Sequence, residues 1–123
     1  MLLSFCMGKI HRATVTKADL NYEGSVSIDS DLVEAAGFFE GQEVRINNLR
    51  NGTSWGTYIL KAPAGSGEIG LNGPPVHHFK PGDLVIILAY AGVEHAMARD
   101  MSPITVFVND KNRITKVKAK EFK

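Results

Sequence analysis

Two features of the chain could do chemistry at first sight: a glycine-rich stretch that could cradle a phosphate, and four histidines that could bind a metal. The stretch is Gly65-Ser66-Gly67-Glu68-Ile69-Gly70, and a dinucleotide site of this pattern requires a strand before it and a helix after it. Asn72-Gly73-Pro74-Pro75 follows instead, and a helix of useful length cannot run through it, because proline lacks a backbone N–H. We therefore predict a turn at residues 65–70 and no phosphate site.

The histidines do not form a metal-binding pattern. They are His11, His77, His78 and His95. His77 and His78 are adjacent, so on a strand they would point to opposite faces, and no carboxylate or cysteine lies at ligand spacing. Closed metal sites need three or four convergent ligands, so we predict no metal site. The single cysteine, Cys6, allows neither an internal disulfide nor a cysteine-rich zinc site.

A third candidate is the pair Gly24-Ser25. Taken alone, the pair is typical of a loop that enters a strand, because glycine and serine both favour turns. Its meaning depends on its neighbours along the chain and on the elements that position them.

Size and composition indicate a single folded domain over residues 1–123. The chain is 44% hydrophobic and 22% charged, which excludes a disordered protein. Lys and Arg number 14 and Asp and Glu number 13, and this balance argues against a nucleic-acid binder, which would show a basic face. The apolar run at residues 84–91 is far shorter than the ~20 residues of a membrane helix, and the N-terminus lacks a signal-peptide pattern. We expect a cytoplasmic protein with no nucleic-acid or membrane partner.

Short strand-like runs separated by turn residues dominate the chain. They are residues 11–16, 25–28, 43–47, 53–61, 83–91, 104–108 and 114–117. Asn51-Gly52 predicts a hairpin turn, because both positions tolerate positive φ, and residues 109–112 predict a second one. The run at residues 83–91 is rich in Val, Ile and Leu, which is typical of a strand buried on both faces.

Helical signal is limited to two short segments. Residues 31–36 follow a capping residue at Asp29 or Ser30 and precede Gly37, which suits the position after a helix end. Residues 94–99 form the second segment. Together these patterns predict a mainly β fold, a small closed or nearly closed β-barrel with two or three short helices.

An ordered set of short motifs resembles the pyruvoyl-dependent aspartate 1-decarboxylase family over residues 7–117. The set consists of residues 8–20, Tyr22-Glu23-Gly24-Ser25-Val26, Asn51-Gly52, Thr57-Tyr58, Asn72-Gly73 and Pro81-Gly82-Asp83 with the apolar run after it. The resemblance implies a small double-psi β-barrel, assembled as a homotetramer, that converts L-aspartate to β-alanine for pantothenate synthesis. The implied partners are a small amino-acid substrate and, where cleavage needs assistance, a maturation factor.

The resemblance further implies that the chain makes its own cofactor at the Gly24-Ser25 bond. The Ser25 hydroxyl would attack the Gly24 carbonyl, and elimination would separate residues 1–24 from residues 25–123. The dehydroalanine left at Ser25 would hydrolyse to a covalent pyruvoyl group with loss of ammonia. That group would form a Schiff base with the substrate amine and accept the electrons released with carbon dioxide. Thr57 is implied as the donor to the oxyanion of the cleavage step.

The remaining site residues are also implied by the resemblance. Tyr58 would protonate the former α-carbon, since a phenol with a pKa near 10 stays protonated at neutral pH. Substrate binding is implied for Lys9, Thr57, Asn72 and Gly73, and supporting roles for His11 and Tyr22.

The chain departs from the family's pattern where the substrate is held. The family has an arginine three residues before the Thr-Tyr pair, and this chain has Ser54. Losing a charged hydrogen bond to the substrate would cost about 1.5–3 kcal/mol of binding if nothing replaced it. Asn47 stands in place of an aromatic residue. Pro74-Pro75 stand in place of two small residues, and they remove two N–H donors.

Three functions are open on this sequence. The first is aspartate decarboxylation with the carboxylate held by Lys9, or by Arg50 reaching across the hairpin. The second is decarboxylation of a less acidic amino acid, which Trp55 and the two prolines would suit. The third is a non-catalytic barrel that serves as a binding module, against which the intact Gly24-Ser25 pair and the Thr57-Tyr58 pair argue.

Overall fold

The structure, a computed structural model, describes residues 1–120, and nine strands in that part of the chain form one sheet. The strands are β1 (Leu2–Thr14), β2 (Lys17–Asp19), β3 (Ser25–Asp29), β4 (Glu43–Asn48), β5 (Ser54–Ala62), β6 (Ile69–Asn72), β7 (Leu84–Glu94), β8 (Ile104–Val108) and β9 (Ile114–Ala119). Their order across the sheet is β2-β6-β3-β5-β4-β7-β1-β8-β9. The pairs β1–β8, β2–β6 and β3–β5 are parallel, and the other neighbours are antiparallel.

All seven strands predicted from the sequence are present, and two were missed. Strand β1 begins at Leu2, nine residues before the predicted start, and β7 extends to Glu94. The missed strands β2 and β6 have three and four residues, too few to show a reliable alternation of apolar and polar residues. The predicted turn at residues 65–70 is confirmed at Gly65 and Gly67, whose φ angles are 78° and 70°. It is wrong for Ile69 and Gly70, which begin β6.

The prediction that β7 is buried on both faces is wrong. Val85, Ile87 and Ala89 are fully buried, whereas the alternate residues from Leu84 to Leu88 are partly exposed. Strand β7 pairs antiparallel with β1 and β4. A strand in an antiparallel wall packs one face on the core and leaves the other accessible.

The two α-helices are short, as predicted. Helix α1 spans Ser30–Ala35 and α2 spans His95–Ala98. Asp29 caps α1 by accepting from the Asp31 N–H at 2.8 Å, and it also accepts from the Gly65 and Gly67 N–H groups at 3.1 and 2.8 Å. One carboxylate thus ends β3, begins α1 and fastens the loop that leads into β6.

The hydrophobic core lies inside the curved sheet and is built from the buried faces of the strands and of α1. Its largest fully buried side chains include Phe79, Ile10, Ile28, Leu32, Ile46, Ile59, Ile69, Leu71 and Ile87. The predicted fold class, a small double-psi β-barrel with a few short helices, agrees with this architecture. Within residues 1–120 we find no helix with the length and apolar character needed to cross a bilayer.

Candidate active site

Ser25 and Asn72 meet at the ends of two paired strands. Ser25 begins β3, Asn72 ends β6, and the antiparallel register places them opposite each other. Both side chains are buried. Asn72 Nδ2 donates to Ser25 Oγ at 3.0 Å and to Ser27 Oγ at 3.1 Å, and Ser25 Oγ donates to the Glu23 carbonyl at 3.2 Å. The Ser25 hydroxyl is therefore held between one donor and one acceptor.

Gly73 packs against the peptide that precedes Ser25. Its φ is +81°, and a Cβ added there would lie 3.1 Å from Gly24 Cα and 3.2 Å from both Gly24 N and the Tyr22 carbonyl oxygen. The Gly73 N–H donates to the Asp19 carbonyl at 2.8 Å. Only glycine combines this backbone conformation with such a close approach. The structure thus brings together Gly24, Ser25, Asn72 and Gly73, as the resemblance implied.

The two prolines after Gly73 begin a single 3-10 turn, Pro74–His77. The first N–H groups of any helix have no intrahelical partner, so proline fits these positions without loss of a hydrogen bond. The two N–H donors that the prolines remove are therefore groups that would have no partner within the turn.

Thr57 and Tyr58 lie on β5, the parallel neighbour of β3. The β3–β5 pairing begins at Val26 and Ile59, so Thr57 and Gly24 each lie two residues before it, Gly24 in the bend that precedes β3. Thr57 and Tyr58 belong to opposite faces of the strand, because successive side chains alternate. Tyr58 is 38% exposed. Within residues 1–120, no hydrogen bond joins Thr57 to the Gly24 carbonyl of the intact chain.

A groove of about 520 Å³ runs over β4 and β5 beside Tyr58. It is lined by Glu43, Arg45, Ser54, Trp55, Gly56, Thr57 and Tyr58. Arg45 reaches it from β4. Its Nε donates to Ser54 Oγ at 3.3 Å, and its Nη2 donates to Ser54 Oγ and to the Ser54 carbonyl, each at 3.2 Å. A guanidinium group therefore lies beside Ser54.

Arg45 was not predicted from the sequence as a site residue. Asn51-Gly52 predicted the β4–β5 hairpin, and that hairpin pairs Asn47 with Ser54 and Arg45 with Gly56. Counting back along both strands from the turn was the signal that could have found Arg45.

Arg50, which the sequence analysis considered as a replacement anchor, lies elsewhere. Its Nε and Nη2 donate to the two carboxylate oxygens of Asp83 at 2.8 and 3.0 Å. Asn48 Nδ2 and the Lys80 N–H add donors at 2.8 and 2.9 Å. The Arg50 hydrogen bond, with these further donors, holds the pKa of the Asp83 carboxyl well below its usual range. This cluster fastens the β4–β5 turn to the segment before β7 and does not reach Ser54.

Lys9 and His11 lie on β1 and line a different cavity of the same chain. That cavity has a volume of about 200 Å³ and is lined by Lys9, His11, Thr105, Phe107, Lys118 and Lys120. Strand β7 separates β1 from β4, and Lys9 and Arg45 are both opposite Leu88 of β7, so they share a face of the sheet. Neither Lys9 nor His11 lines the groove beside Tyr58.

The His11 ring is partly buried. It packs edge-on against Phe107 with 5.5 Å between centroids, and its Nδ1 is buried with no hydrogen-bond partner in the described part of the chain. Burial lowers the pKa of His11, and the positive charges of Lys9 and Arg12 lower it further. The ring is thus disposed to be neutral at physiological pH.

Tyr22 lies in the turn between β2 and β3. Its backbone contacts Gly73, as described above, while its side chain is 57% exposed. The structure places Tyr22 near Gly24, as predicted, with its phenol accessible.

For metal binding, no group of three or more His, Cys, Asp or Glu side chains within residues 1–120 could hold an ion.

Comparison with known proteins gives matches over nearly the whole chain. A family model described as aspartate decarboxylase matches residues 1–115. A protein named aspartate 1-decarboxylase from Carboxydothermus hydrogenoformans is 46% identical over 121 residues, covering 98% of this chain and 95% of the relative. One of the same name from Myxococcus xanthus is 50% identical over 113 residues, covering 92% and 87%.

Proposed function

The chain belongs to the aspartate decarboxylase family, and we propose that it converts L-aspartate to β-alanine and carbon dioxide with a pyruvoyl group made from its own Ser25. One observation carries the proposal. The Ser25 hydroxyl is buried directly after Gly24 and is held between Asn72 Nδ2 and the Glu23 carbonyl.

The bonds that form and break in cleavage belong to this chain and to one water molecule. Ser25 Oγ attacks the Gly24 carbonyl carbon, the Gly24–Ser25 C–N bond breaks, and the hydroxyl proton passes to the freed amine. Loss of the Ser25 α-proton then breaks the Ser25 Cβ–Oγ bond of this ester, so Oγ leaves with Gly24 and residues 1–24 are released as a carboxylate. Water adds to the remaining dehydroalanine and ammonia leaves. The Asn72 donor orients Oγ, and Thr57, which lies two residues before the first β3–β5 pair as Gly24 does, is the donor to the oxyanion.

The residues around Ser25 fit a pyruvoyl group. Ser25 Oγ would leave with Gly24, which would free the Asn72 Nδ2 donor, now 3.0 Å from Oγ, to hold the new group. Gly73 lies against the backbone before residue 25. The pyruvoyl group supplies an electron sink for the loss of carbon dioxide. Tyr58, exposed at the groove, supplies the proton for the former α-carbon.

A homo-oligomer, the homotetramer implied by the resemblance, would complete this site. Lys9 and His11 line one cavity and Tyr58 lines another, and the proposal includes a second copy of the chain that brings the two groups of residues together. Substrate-binding and supporting roles for Lys9 and His11 belong to this part of the proposal. Assistance by a maturation factor also belongs to it, and so does a cytoplasmic setting, which suits the free thiol of Cys6.

The matches favour aspartate over the two other functions open on the sequence. Both relatives carry the same name over at least 87% of their own length. Neither decarboxylation of a less acidic amino acid nor a non-catalytic module has comparable support.

Intact-mass spectrometry after warm incubation tests the proposal. We expect two fragments, residues 1–24 and residues 25–123, the second lighter by one ammonia than a chain that starts with serine. Ser25→Ala is the matched control and stays whole. The cleaved protein is then assayed for carbon dioxide release from L-aspartate. A wild-type chain that stays whole even with cell extract from its source, or a cleaved chain inactive on aspartate, contradicts the proposal.

A further inference from the structure

We propose that the Arg45 guanidinium binds the side-chain carboxylate of the substrate and that Ser54 positions it there. The inference rests on the proposed decarboxylation of aspartate and deepens it, because it names the group that selects an acidic substrate. Three features of the groove beside Tyr58 support it: a path for the guanidinium, unused donors, and an uncompensated charge.

Gly56 opens the path. Arg45 pairs with Gly56 across the β4–β5 hairpin, and a Cβ on Gly56 would lie 2.8 Å from Arg45 Nη1. A side chain at position 56 would therefore occupy the space of the guanidinium. Because Gly56 has none, Arg45 lies flat across β5 and reaches Ser54.

The guanidinium keeps donors free. Its Nε and Nη2 are engaged by Ser54, which fixes the plane of the group. Nη1 takes part in no hydrogen bond within residues 1–120. Arginine has five N–H donors in a rigid fork that matches a carboxylate. The fork is thus held on one side and available on the other.

The charge of Arg45 is not neutralised by the protein. No ion pair involves Arg45 in the described part of the chain, in contrast to Arg50, which is paired with Asp83. Glu43 lines the same groove but forms no ion pair with Arg45. An exposed guanidinium beside Thr57 and Tyr58 favours an anionic substrate group.

The side-chain carboxylate is the better ligand of the two that aspartate carries. The α-carboxylate leaves as carbon dioxide, so a strong bond to it would stabilise the ground state more than the transition state. The side-chain carboxylate keeps its charge throughout the reaction and is present in the product. Arg45 can hold it without opposing the chemical step.

Steady-state kinetics on the cleaved enzyme test the inference. Arg45→Met is expected to cleave itself at the wild-type rate, to lower kcat/KM for aspartate by ten- to a hundredfold, and to weaken product inhibition by β-alanine at least tenfold. Arg99→Met, which removes the same charge outside the groove, is the matched control. Ser54→Ala is expected to raise KM severalfold with kcat unchanged. Arg45→Met combined with Ser54→Arg returns a guanidinium to the groove. The double variant is expected to have a kcat/KM for aspartate at least tenfold above that of Arg45→Met alone.

The outcomes separate the inference from the proposed function. Wild type that cleaves and uses aspartate, together with an Arg45→Met enzyme whose kcat/KM stays within twofold, overturns the inference and leaves the function standing. Wild type without cleavage or turnover overturns both. If Arg45→Met does not fold, Arg45→Gln, which also removes the charge, decides: a kcat/KM within twofold of wild type refutes the role of Arg45, and a loss of tenfold or more supports it.

Discussion

Replacing Asn72 by alanine tests whether the contact between β6 and β3 prepares Ser25 for cleavage. The Asn72 amide makes two hydrogen bonds, to Ser25 Oγ and to Ser27 Oγ. A neutral hydrogen bond contributes about 1 kcal/mol net. With some added cost for the buried space left behind, we expect Asn72→Ala to lower the free energy of unfolding by about 2–3 kcal/mol.

The effect on cleavage comes from the Ser25 bond alone. Without the Asn72 donor, the Ser25 hydroxyl keeps its bond to the Glu23 carbonyl but loses the group that orients its oxygen. A loss of about 1.4 kcal/mol of positioning corresponds to tenfold in rate. We therefore expect Asn72→Ala to cleave about five- to tenfold more slowly than wild type.

The assay is the fraction of cleaved chain against time by intact-mass spectrometry, with urea unfolding of the same samples. Ser27→Ala is the matched control, because it removes the other acceptor and leaves the Asn72–Ser25 bond in place. It should lose about 1 kcal/mol of stability and cleave normally. If Asn72→Ala cleaves as fast as wild type while losing stability, Asn72 only supports the fold and our account of Ser25 is refuted.

Three further predictions concern substitutions at Thr57, Tyr58 and Asp83. Thr57→Val should slow cleavage by about a hundredfold, as the loss of one oxyanion donor does elsewhere, and wild-type cleavage would exclude Thr57 from that role. Tyr58→Phe should cleave normally and release carbon dioxide at least tenfold more slowly than wild type. Full turnover would require another proton donor. Asp83→Asn should lose about 2 kcal/mol of stability at pH 7. Because the folded pKa of Asp83 is depressed, its contribution is present above the unfolded pKa and lost as the pH falls through the folded one. The difference between the two proteins in urea unfolding should therefore shrink below about pH 4, and a constant difference would contradict this.

Much of the fold was predictable because it depends on short-range patterns. The alternation of residues 43–47 and the Asn51-Gly52 turn predict β4, β5 and their hairpin, and Asp29 before residues 31–36 predicts a capped helix. These signals arise from side-chain period and local φ preference, which neighbouring residues alone decide. Strands β2 and β6 were not predicted from the sequence, because segments of three and four residues acquire their conformation from the strands beside them.

The candidate site was predictable by residue and only partly by arrangement. The sequence named Gly24, Ser25, Asn72 and Gly73, but 47 positions separate Ser25 from Asn72, and only the β3–β6 register shows that they touch. Arg45 was missed for the same reason, since its meaning comes from Gly56 and Ser54 on the neighbouring strand. Lys9 belongs to another cavity of the chain. The sequence by itself determines the residue types and the local elements. The set of side chains that share a cavity depends on pairing between strands that are distant in the chain, and only the tertiary structure decides that pairing.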